Sequence, residues 1–375
     1  MNRTKIGVYQ FTHPGKEHSV KYKIDGTNLF FKEWNYRFSK STKGYKSNNH
    51  CRKYMRTSAN YIENGVLRSG LVDFWGEWEP NSIAVALDKK APAFLPKYLH
   101  YPIFISNDTH ITSENNIGSC IEKLKNIDIA NSNVPEIHTN THPSEKKIYD
   151  SKNNNNLQNT DPYVFGDNFY YTCCKQPETK HLKEGSVILF GTGYRSKKIY
   201  EIDTVFVISE IIHYNKETLS KTLSRFQNSE NPSEKMYYDV VLNQVFRRHD
   251  GSIAYFDDPN YQYDIIVGAT YENPYNGMYS YFLCNPSSSQ GKPKLRIGNN
   301  IDVLNTLNSY ADQPFGLELS THGKNIVLDD QERVYKMWEL IKNYAMHEGY
   351  SLGVKAEIPP TLAVNEIQEY ISNIM

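Results

Sequence analysis

The stretch from Asp161 to His213 most constrains the fold of this chain, because it carries three strand-like runs in quick succession. Residues 187–190 form a continuous apolar run that is short enough for a buried strand. Gly185 lies just before this run, and tight turns favour glycine because it adopts positive φ at little cost. Apolar residues return at strand-like density over residues 198–213. Short strands joined by tight loops predict a small β-barrel or a strongly bent sheet.

The order of residues in this stretch resembles the barrel core of PUA-like domains, the superfamily that includes the ASCH, EVE and YTH domains. The pattern is Leu182-Lys183-Glu184-Gly185, one polar residue, the apolar run 187–190 and then a second apolar strand, and the resemblance covers residues 182–213. It implies a barrel with one open mouth that takes a single, often modified, base out of a nucleic acid. It also implies a setting in nucleic-acid surveillance, such as defence against foreign phage DNA. The strands themselves fit the β-rich core of an enzyme equally well, so both interpretations stay open.

The charge balance argues against a long electrostatic footprint on a nucleic acid. Lys and Arg together number 42, and Asp and Glu together also number 42. A basic excess is the usual mark of extended phosphate binding, whereas binding one flipped base or a small molecule needs no such excess. The 29 tyrosines and 16 phenylalanines could stack on bases. Aromatic residues are also common in strands and cores.

The five cysteines are scattered and lack the paired spacing of a zinc site. We therefore expect no metal and no cofactor, and a reduced cytoplasmic protein. No apolar run reaches transmembrane length, so we expect no membrane partner.

Residues 34–56 are the one locally basic and aromatic segment. Their mixture of cations and rings suits phosphate contact combined with base stacking. The spacing of Arg52, Lys53 and Arg56 fits one face of a helix. Together with Arg37, these residues are candidates for contact with a nucleic-acid backbone. A solvated loop and helix is the alternative.

The segment Leu71–Ser82 combines two tryptophans with acidic residues. In an extended chain Asp73, Trp75 and Glu77 would project to one face, because side chains alternate with period two. Trp78 would project to the other face. The segment could therefore provide an aromatic wall on which a base stacks, with a carboxylate that hydrogen bonds to the polar edge of the base. Alternatively, Asp73 and Glu77 could act as acid and base or bind a metal, or the tryptophans could simply be core residues.

Further candidate contacts come from position alone. If the barrel interpretation holds, Asp167, Asn168, Tyr171 and Lys175 border its mouth. Tyr271 lies in a loop between two strands that is rich in aromatic and amide residues, and such a loop could cradle a planar ligand. It could equally be an ordinary hairpin.

The clearest helix is predicted over residues 329–348. Asp329-Asp330 can cap it, Gly349 can end it, and residues such as Val334, Trp338 and Ile341 recur on one apolar face.

The predicted fold is mixed α+β, with a PUA-like β-barrel core, flanking helices and a low-complexity insertion. Residues 1–106 are expected to supply N-terminal strands and the Trp/acidic segment, both packing on that core. Residues 107–160 are expected to be a flexible Asn-rich insertion. Residues 161–285 are expected to form the barrel, and residues 286–375 a C-terminal α+β element.

Two functions of different class follow from these features. The first is a protein that binds DNA or RNA through a flipped, modified or unpaired base. The second is an enzyme, such as a glycosylase or nuclease, that acts through Asp73 and Glu77. The sequence leaves open whether there is turnover.

Overall fold

A computed structural model describes the greater part of the 375-residue chain. The described residues are 3–12, 31–33, 36–39, 44–47, 52–78, 80, 82–88, 90–92, 94–105, 136–139, 160–172, 179, 181–194, 199–215, 217–243, 263–286, 291–315, 323–327, 329–363 and 366–374. The candidate ligand residue Lys175 and most of the Asn-rich segment lie outside them. Among the residues described, no helix is both long and apolar enough to cross a membrane.

Strands dominate the described part of the chain, and the mixed α+β class predicted from the sequence is confirmed. The strands are β1 Gly7–Thr12, β2 Phe31–Glu33, β3 Tyr36–Ser39, β4 Gly44–Ser47, β5 Arg52–Glu63, β6 Val66–Glu77, β7 Ser82–Ala86, β8 Tyr98–Pro102, β9 Phe104–Ile105, β10 Glu136–Thr139, β11 Tyr170–Tyr171, β12 Val187–Tyr194, β13 Ile199–Tyr214, β14 Tyr263–Gly268, β15 Tyr281–Pro286, β16 Leu295–Ile297, β17 Gly323–Val327, β18 Ser351–Ala356 and β19 Thr361–Leu362. The helices are α1 Leu219–Gln227, α2 Pro232–Tyr237, α3 Ile301–Tyr310, α4 Gln331–His347 and α5 Ile367–Ile374, and a π-helical turn, Tyr238–Leu242, directly follows α2.

One large sheet connects most of these strands. Its main path runs β17-β1-β12-β13-β15-β18-β5-β8-β7-β10-β2, while β6, β11, β14 and β16 pair alongside this path. The path includes strands from each of the four segments that the sequence suggested. The boundaries between those segments stay a prediction.

The turn and strands predicted near residue 185 form as expected. Gly185 has a φ of +85°, and its N–H donates to the carbonyl oxygen of Ile208 at 2.8 Å. Strands β12 and β13 pair in antiparallel fashion, with an irregularity between Phe190 and Gly191. Glycine suits residue 185 for a second reason, since a Cβ there would lie 2.6 Å from the Gln331 side chain.

Strand β13 is sixteen residues long and pairs with several other strands. Strands β14 and β15 pair with successive parts of β13, at residues 208–214 and 204–205 respectively. The segment between β14 and β15 forms a tight local hairpin, since Tyr275 and Met278 exchange backbone hydrogen bonds around Asn276-Gly277, both with positive φ. Strands β14 and β15 themselves each pair with β13 and not with each other.

Strands β5 and β6 form a long hairpin whose turn is Asn64-Gly65. Both turn residues have positive φ, +51° and +77°, as the tight turns of two-residue hairpins require. The register pairs Arg52 with Glu77 at one end and Glu63 with Val66 at the other. The helical face expected for residues 52–56 is wrong, because these residues belong to β5.

Four strands form a closed circuit of hydrogen-bonded pairs: β15 with β18, β18 with β5, β5 with β6, and β6 again with β15. The circuit brings the Trp segment of β6 beside β15, far away along the chain.

Helices cover both faces of the sheet. An aromatic core, including Phe74, Trp78 and Phe206, lies beneath α1 and α2. A second core lies beneath α3 and α4 and includes Leu283 and Trp338. Helix α4 forms as predicted: the Asp330 side chain accepts hydrogen bonds from the N–H groups of Glu332 and Arg333 at 2.9 and 3.2 Å, and the expected apolar face is buried.

Candidate functional site

We call the half of the β5–β6 hairpin that lies away from the turn its inner half, and the half near the turn its outer half. Three cross-strand pairs of the inner half lie on one face. The register sets Arg52 opposite Glu77, Tyr54 opposite Trp75, and Arg56 opposite Asp73. Directly opposed side chains in a sheet lie close enough to interact. The predicted common face of Asp73, Trp75 and Glu77 thus forms, with a cation or a ring facing each of them.

Trp75, in β6, and Trp78, just after β6, have different surroundings. Trp75 lies 5.4 Å from the Tyr54 ring, centroid to centroid, and its Nε1 donates to the carbonyl oxygen of Lys292 at 2.8 Å. Trp78 is fully buried in the aromatic core, edge-on to Phe165 at 5.0 Å. Trp75 therefore belongs to the candidate site and Trp78 to the core.

Trp75 borders a narrow cleft between β5, β6, β13, β15 and the residues that precede β16 and β18. The residues that give this cleft its chemistry are Tyr54, Trp75, Asp203, Asn285, Lys294 and Tyr350. Three rings, a carboxylate, an amide and an amine thus converge. The space between them is too narrow to hold a water molecule in this conformation.

A buried charge network, formed by Arg52, Glu77, Asp203 and Lys294, adjoins the cleft. Arg52 lies between two carboxylates, with Nη1 3.3 Å from Glu77 Oε2 and Nε 3.2 Å from Asp203 Oδ2. Lys294 Nζ lies 3.8 Å from the same Asp203 oxygen. The network holds two cations and two anions, so its formal charges balance.

The strand register explains why Lys294 meets Asp203. Strand β16 pairs with β13 so that Arg296 opposes Glu201 and Leu295 opposes Ile202. Continuing this register by one residue places Lys294 opposite Asp203. Arg296 Nε lies 2.9 Å from Glu201 Oε1, so two ion pairs follow one another along the same face.

Burial dominates the proton affinities in the network. Loss of hydration raises the pKa of Asp203, and the nearby Arg52 and Lys294 oppose this rise. Loss of hydration also lowers the pKa of Lys294 from 10.5 to about 8, and Asp203 opposes this drop. Each partner thus reduces, without cancelling, the cost of burying the other.

Asp73 forms a two-point pair with Arg56, whose Nε and Nη2 donate to the two carboxylate oxygens at 2.7 and 2.9 Å. Burial raises the pKa of Asp73, and Arg56 counteracts this effect. Asp73 lies opposite Asn285 of β15 in the register. It is therefore next to the cleft and held by an arginine.

The basic residues predicted to contact phosphate are placed differently from expectation. Arg52 and Lys53 are fully buried, and Lys53 Nζ donates to the carbonyl oxygen of Pro80 at 3.0 Å. Neither can contact a phosphate in solvent, so their surface placement is a wrong prediction. Arg56 is partly buried and paired with Asp73. Arg37 belongs to β3, opposite Lys46 of β4, and its side chain is outside the described part of the structure.

The other predicted contacts do not meet at the cleft. Asp167 is exposed and pairs with Lys355, whereas Tyr171 is buried in the aromatic core, 5.2 Å from the Phe190 ring. Asn168 lies beside Tyr170, to which its side chain hydrogen bonds. Tyr271 is 37% exposed and edge-on to Tyr279 at 5.2 Å.

Sequence reasoning missed Asp203, Asn285, Lys294 and Tyr350. Two local signals pointed to part of this set. Asp203 interrupts the apolar β13 run, and Lys292, Lys294 and Arg296 recur with period two, which places three cations on one side of an extended chain. No local signal points to Asn285 or Tyr350.

Within the part of the chain that the structure describes, no three His, Cys, Asp or Glu side chains are grouped so that they could hold a metal ion. Comparisons with protein-family models, with curated proteins and with solved structures gave no match to this chain.

Proposed function

We propose that this protein binds a nucleic acid by taking one flipped, modified base into the cleft beside Trp75. The observation that carries the proposal is the convergence of Trp75, Tyr54 and Tyr350 with the amide of Asn285 and the amine of Lys294. A flipped base needs a planar π-surface and hydrogen-bonding groups for its edge. The cleft offers both.

The aromatic wall is held by hydrogen bonds to the backbone of Lys292 and Pro293, which lie just before β16. Trp75 Nε1 donates to the Lys292 carbonyl oxygen. The backbone N–H of Lys292 donates to the Tyr54 hydroxyl oxygen at 3.2 Å. The Tyr350 hydroxyl donates to the carbonyl oxygen of Pro293. Rings fixed in this way lose little freedom when a ligand stacks on them, which favours binding.

Entry of a base requires the cleft to open. Lys294 Nζ lies 5.1 Å from the Trp75 ring centroid, so it occupies a face on which a base could stack. We therefore propose that the ligand displaces the Lys294 side chain from this ring. Side-chain movements of this kind are common when complexes form.

The enzyme alternative through Asp73 and Glu77 has less support. Asp73 and Glu77 are four residues apart on one strand, which corresponds to about 13 Å of backbone. Asp73 is held by Arg56, and Glu77 lies fully buried against Arg52. A base-binding role uses the neighbouring ring instead of these two acids.

The barrel implied by the resemblance to PUA-like domains stays part of the proposal. The closed circuit of β15, β18, β5 and β6 supports an enclosed arrangement of strands, and three of these strands border the cleft. The circuit draws β5, β6 and β18 from outside residues 161–285, so the proposed enclosure is not the one expected from sequence.

The test compares Trp75→Leu with Trp78→Leu, since both substitutions remove a π-surface and retain an apolar side chain. The probes are short single-stranded DNAs that carry one modified pyrimidine, with an unmodified DNA and an RNA of the same sequence. Stacking contributes roughly 1–3 kcal/mol by substitution, so Trp75→Leu should weaken binding by about ten- to a hundredfold. Trp78→Leu should mainly lower thermal stability.

Binding and thermal unfolding are measured side by side on both variants. If Trp75→Leu binds every probe as the wild type does, the cleft is not the binding site. If the wild type binds no probe, the proposed function itself is wrong.

A further inference from the structure

Lys294 combines burial, a carboxylate neighbour and a position at the cleft. Its side chain is 2% exposed, its Nζ lies 3.8 Å from Asp203 Oδ2, and it borders the same space as Trp75. Lysines in such desolvated sites serve as amine nucleophiles, because burial favours the neutral form that can attack a carbonyl group.

Lys294 has a place both in the buried network and at the cleft. Asp203 shares its nearer cation, Arg52 with Nε at 3.2 Å, with Glu77, so Lys294 supplies the second cation that balances the two carboxylates. The Lys294 amine also borders the space beside Trp75. The nearby Lys292 behaves differently: its Nζ donates to the carbonyl oxygens of Glu348 and Gly349 at 3.1 and 2.9 Å.

The groups around Lys294 make its amine easier to deprotonate than an ordinary lysine amine. Burial lowers its pKa to about 8, Arg52 contributes in the same direction, and Asp203 and Glu201 oppose the shift. A drop of this size raises the neutral fraction at pH 7 by about 300-fold over a solvated lysine.

We propose that Lys294 forms an imine with an aldehyde group on the base that enters the cleft, so that the recognised modification is a formyl substituent. This inference rests on the proposed base-binding function and names its ligand class. Stacking on Trp75 would hold the ring while the amine captures the substituent. The result is a reversible covalent bond that slows release of the base.

The chemistry balances without an oxidant or reductant. The neutral amine of Lys294 attacks the carbonyl carbon and forms a carbinolamine. Loss of the carbonyl oxygen as water, with both amine protons, leaves a carbon–nitrogen double bond. Asp203 is placed to accept one of these protons and return it to the leaving oxygen. Hydrolysis reverses the sequence and restores the free amine.

The first experiment uses glycolaldehyde with cyanoborohydride, which reduces an imine to a stable amine, followed by peptide mapping of the wild type. Lys294 should be labelled with a midpoint near pH 8, ahead of Lys292 in the same segment and of the exposed Lys221. Lys294→Arg keeps the charge and should abolish the label, whereas Lys221→Arg should leave the label on Lys294 unchanged. Failure of Lys294 to label while Lys221 labels would overturn the inference, and this wild-type result does not depend on a variant folding.

The second experiment uses single-stranded DNA with one formylcytosine and the same DNA with methylcytosine. Borohydride-dependent crosslinking to Lys294, with the formyl strand alone, supports the inference. If both strands bind and neither crosslinks, the imine is wrong and base binding stands. If glycolaldehyde labels Lys294 and neither strand binds, the proposed function is wrong, and the assignment of a formylated base is overturned with it.

Discussion

The two halves of the β5–β6 hairpin contain the same kind of arginine–glutamate pair in opposite surroundings. At the inner end, Arg52 and Glu77 are both 0% exposed and lie 3.3 Å apart. Near the turn, Arg68 Nε lies 2.9 Å from Glu63 Oε2, but the two side chains are 52% and 36% exposed. The outer pair is the shorter one, yet water screens it. Burial, more than distance, therefore decides what each pair contributes to folding and to the site.

The neighbouring residues follow the same division. β6 is exposed from Val66 to Ser69 and buried from Val72 to Glu77. The buried half pairs with β15 and lies against Lys294, just before β16, whereas the outer half pairs only with β5 among the described strands. A single hairpin thus supplies both the wall of the cleft and a solvent-exposed extension.

The largest expected effect comes from breaking the inner pair. Arg52→Met removes the cation that Glu77 and Asp203 share and leaves buried carboxylates facing each other. The free energy of unfolding should fall by about 3–5 kcal/mol, measured by urea denaturation. Adding Glu77→Gln should recover part of this loss, because it removes one of the stranded charges. A loss below about 1 kcal/mol, the range of exposed pairs, would show that burial does not separate the two halves.

A smaller effect concerns Lys294 and pH. Its folded pKa of about 8 lies below the ordinary 10.5, so between these values the unfolded chain binds the proton that the folded chain has released. Stability then rises with pH through this window. The wild type should gain up to about 3 kcal/mol over Lys294→Met from pH 8 to 10.5. Unfolding of the two proteins at matched pH measures this difference, and two curves that stay parallel would contradict the lowered pKa.

The smallest effect is expected at the outer pair. Arg68→Ala removes one partner of an exposed ion pair, and the free energy of unfolding should change by less than about 1 kcal/mol. Added salt should reduce the difference further, because exposed charges are screened. The same urea titration used for Arg52→Met provides the comparison, and a loss approaching that of Arg52→Met would mean that the outer half is stabilised by more than its own contacts.

Local patterns predicted some of these elements correctly. The alternation over Asp73–Glu77, the turn at Gly185 and the apolar face of α4 all depend on residues close together in the chain. The Asn64-Gly65 turn was also readable, since this dipeptide favours two-residue hairpins, and recognising it would have placed residues 52–56 in a strand. Treating their basic side chains as a helix face led to the wrong surface placement of Arg52 and Lys53.

The sequence by itself determined which side chains of β6 share a face, because alternation is a property of any extended chain. It also determined where α4 begins, through the capping aspartate. Only the tertiary structure decided that Arg52 is buried between Glu77 and Asp203, and that Lys294 and Asn285 join Trp75 at one cleft. Those outcomes depend on bringing the β5–β6 hairpin together with β13, β15 and β16, which lie far from it in the chain. Composition does not determine which charged side chain becomes desolvated, because the burial of a side chain depends on the strands that pack around it.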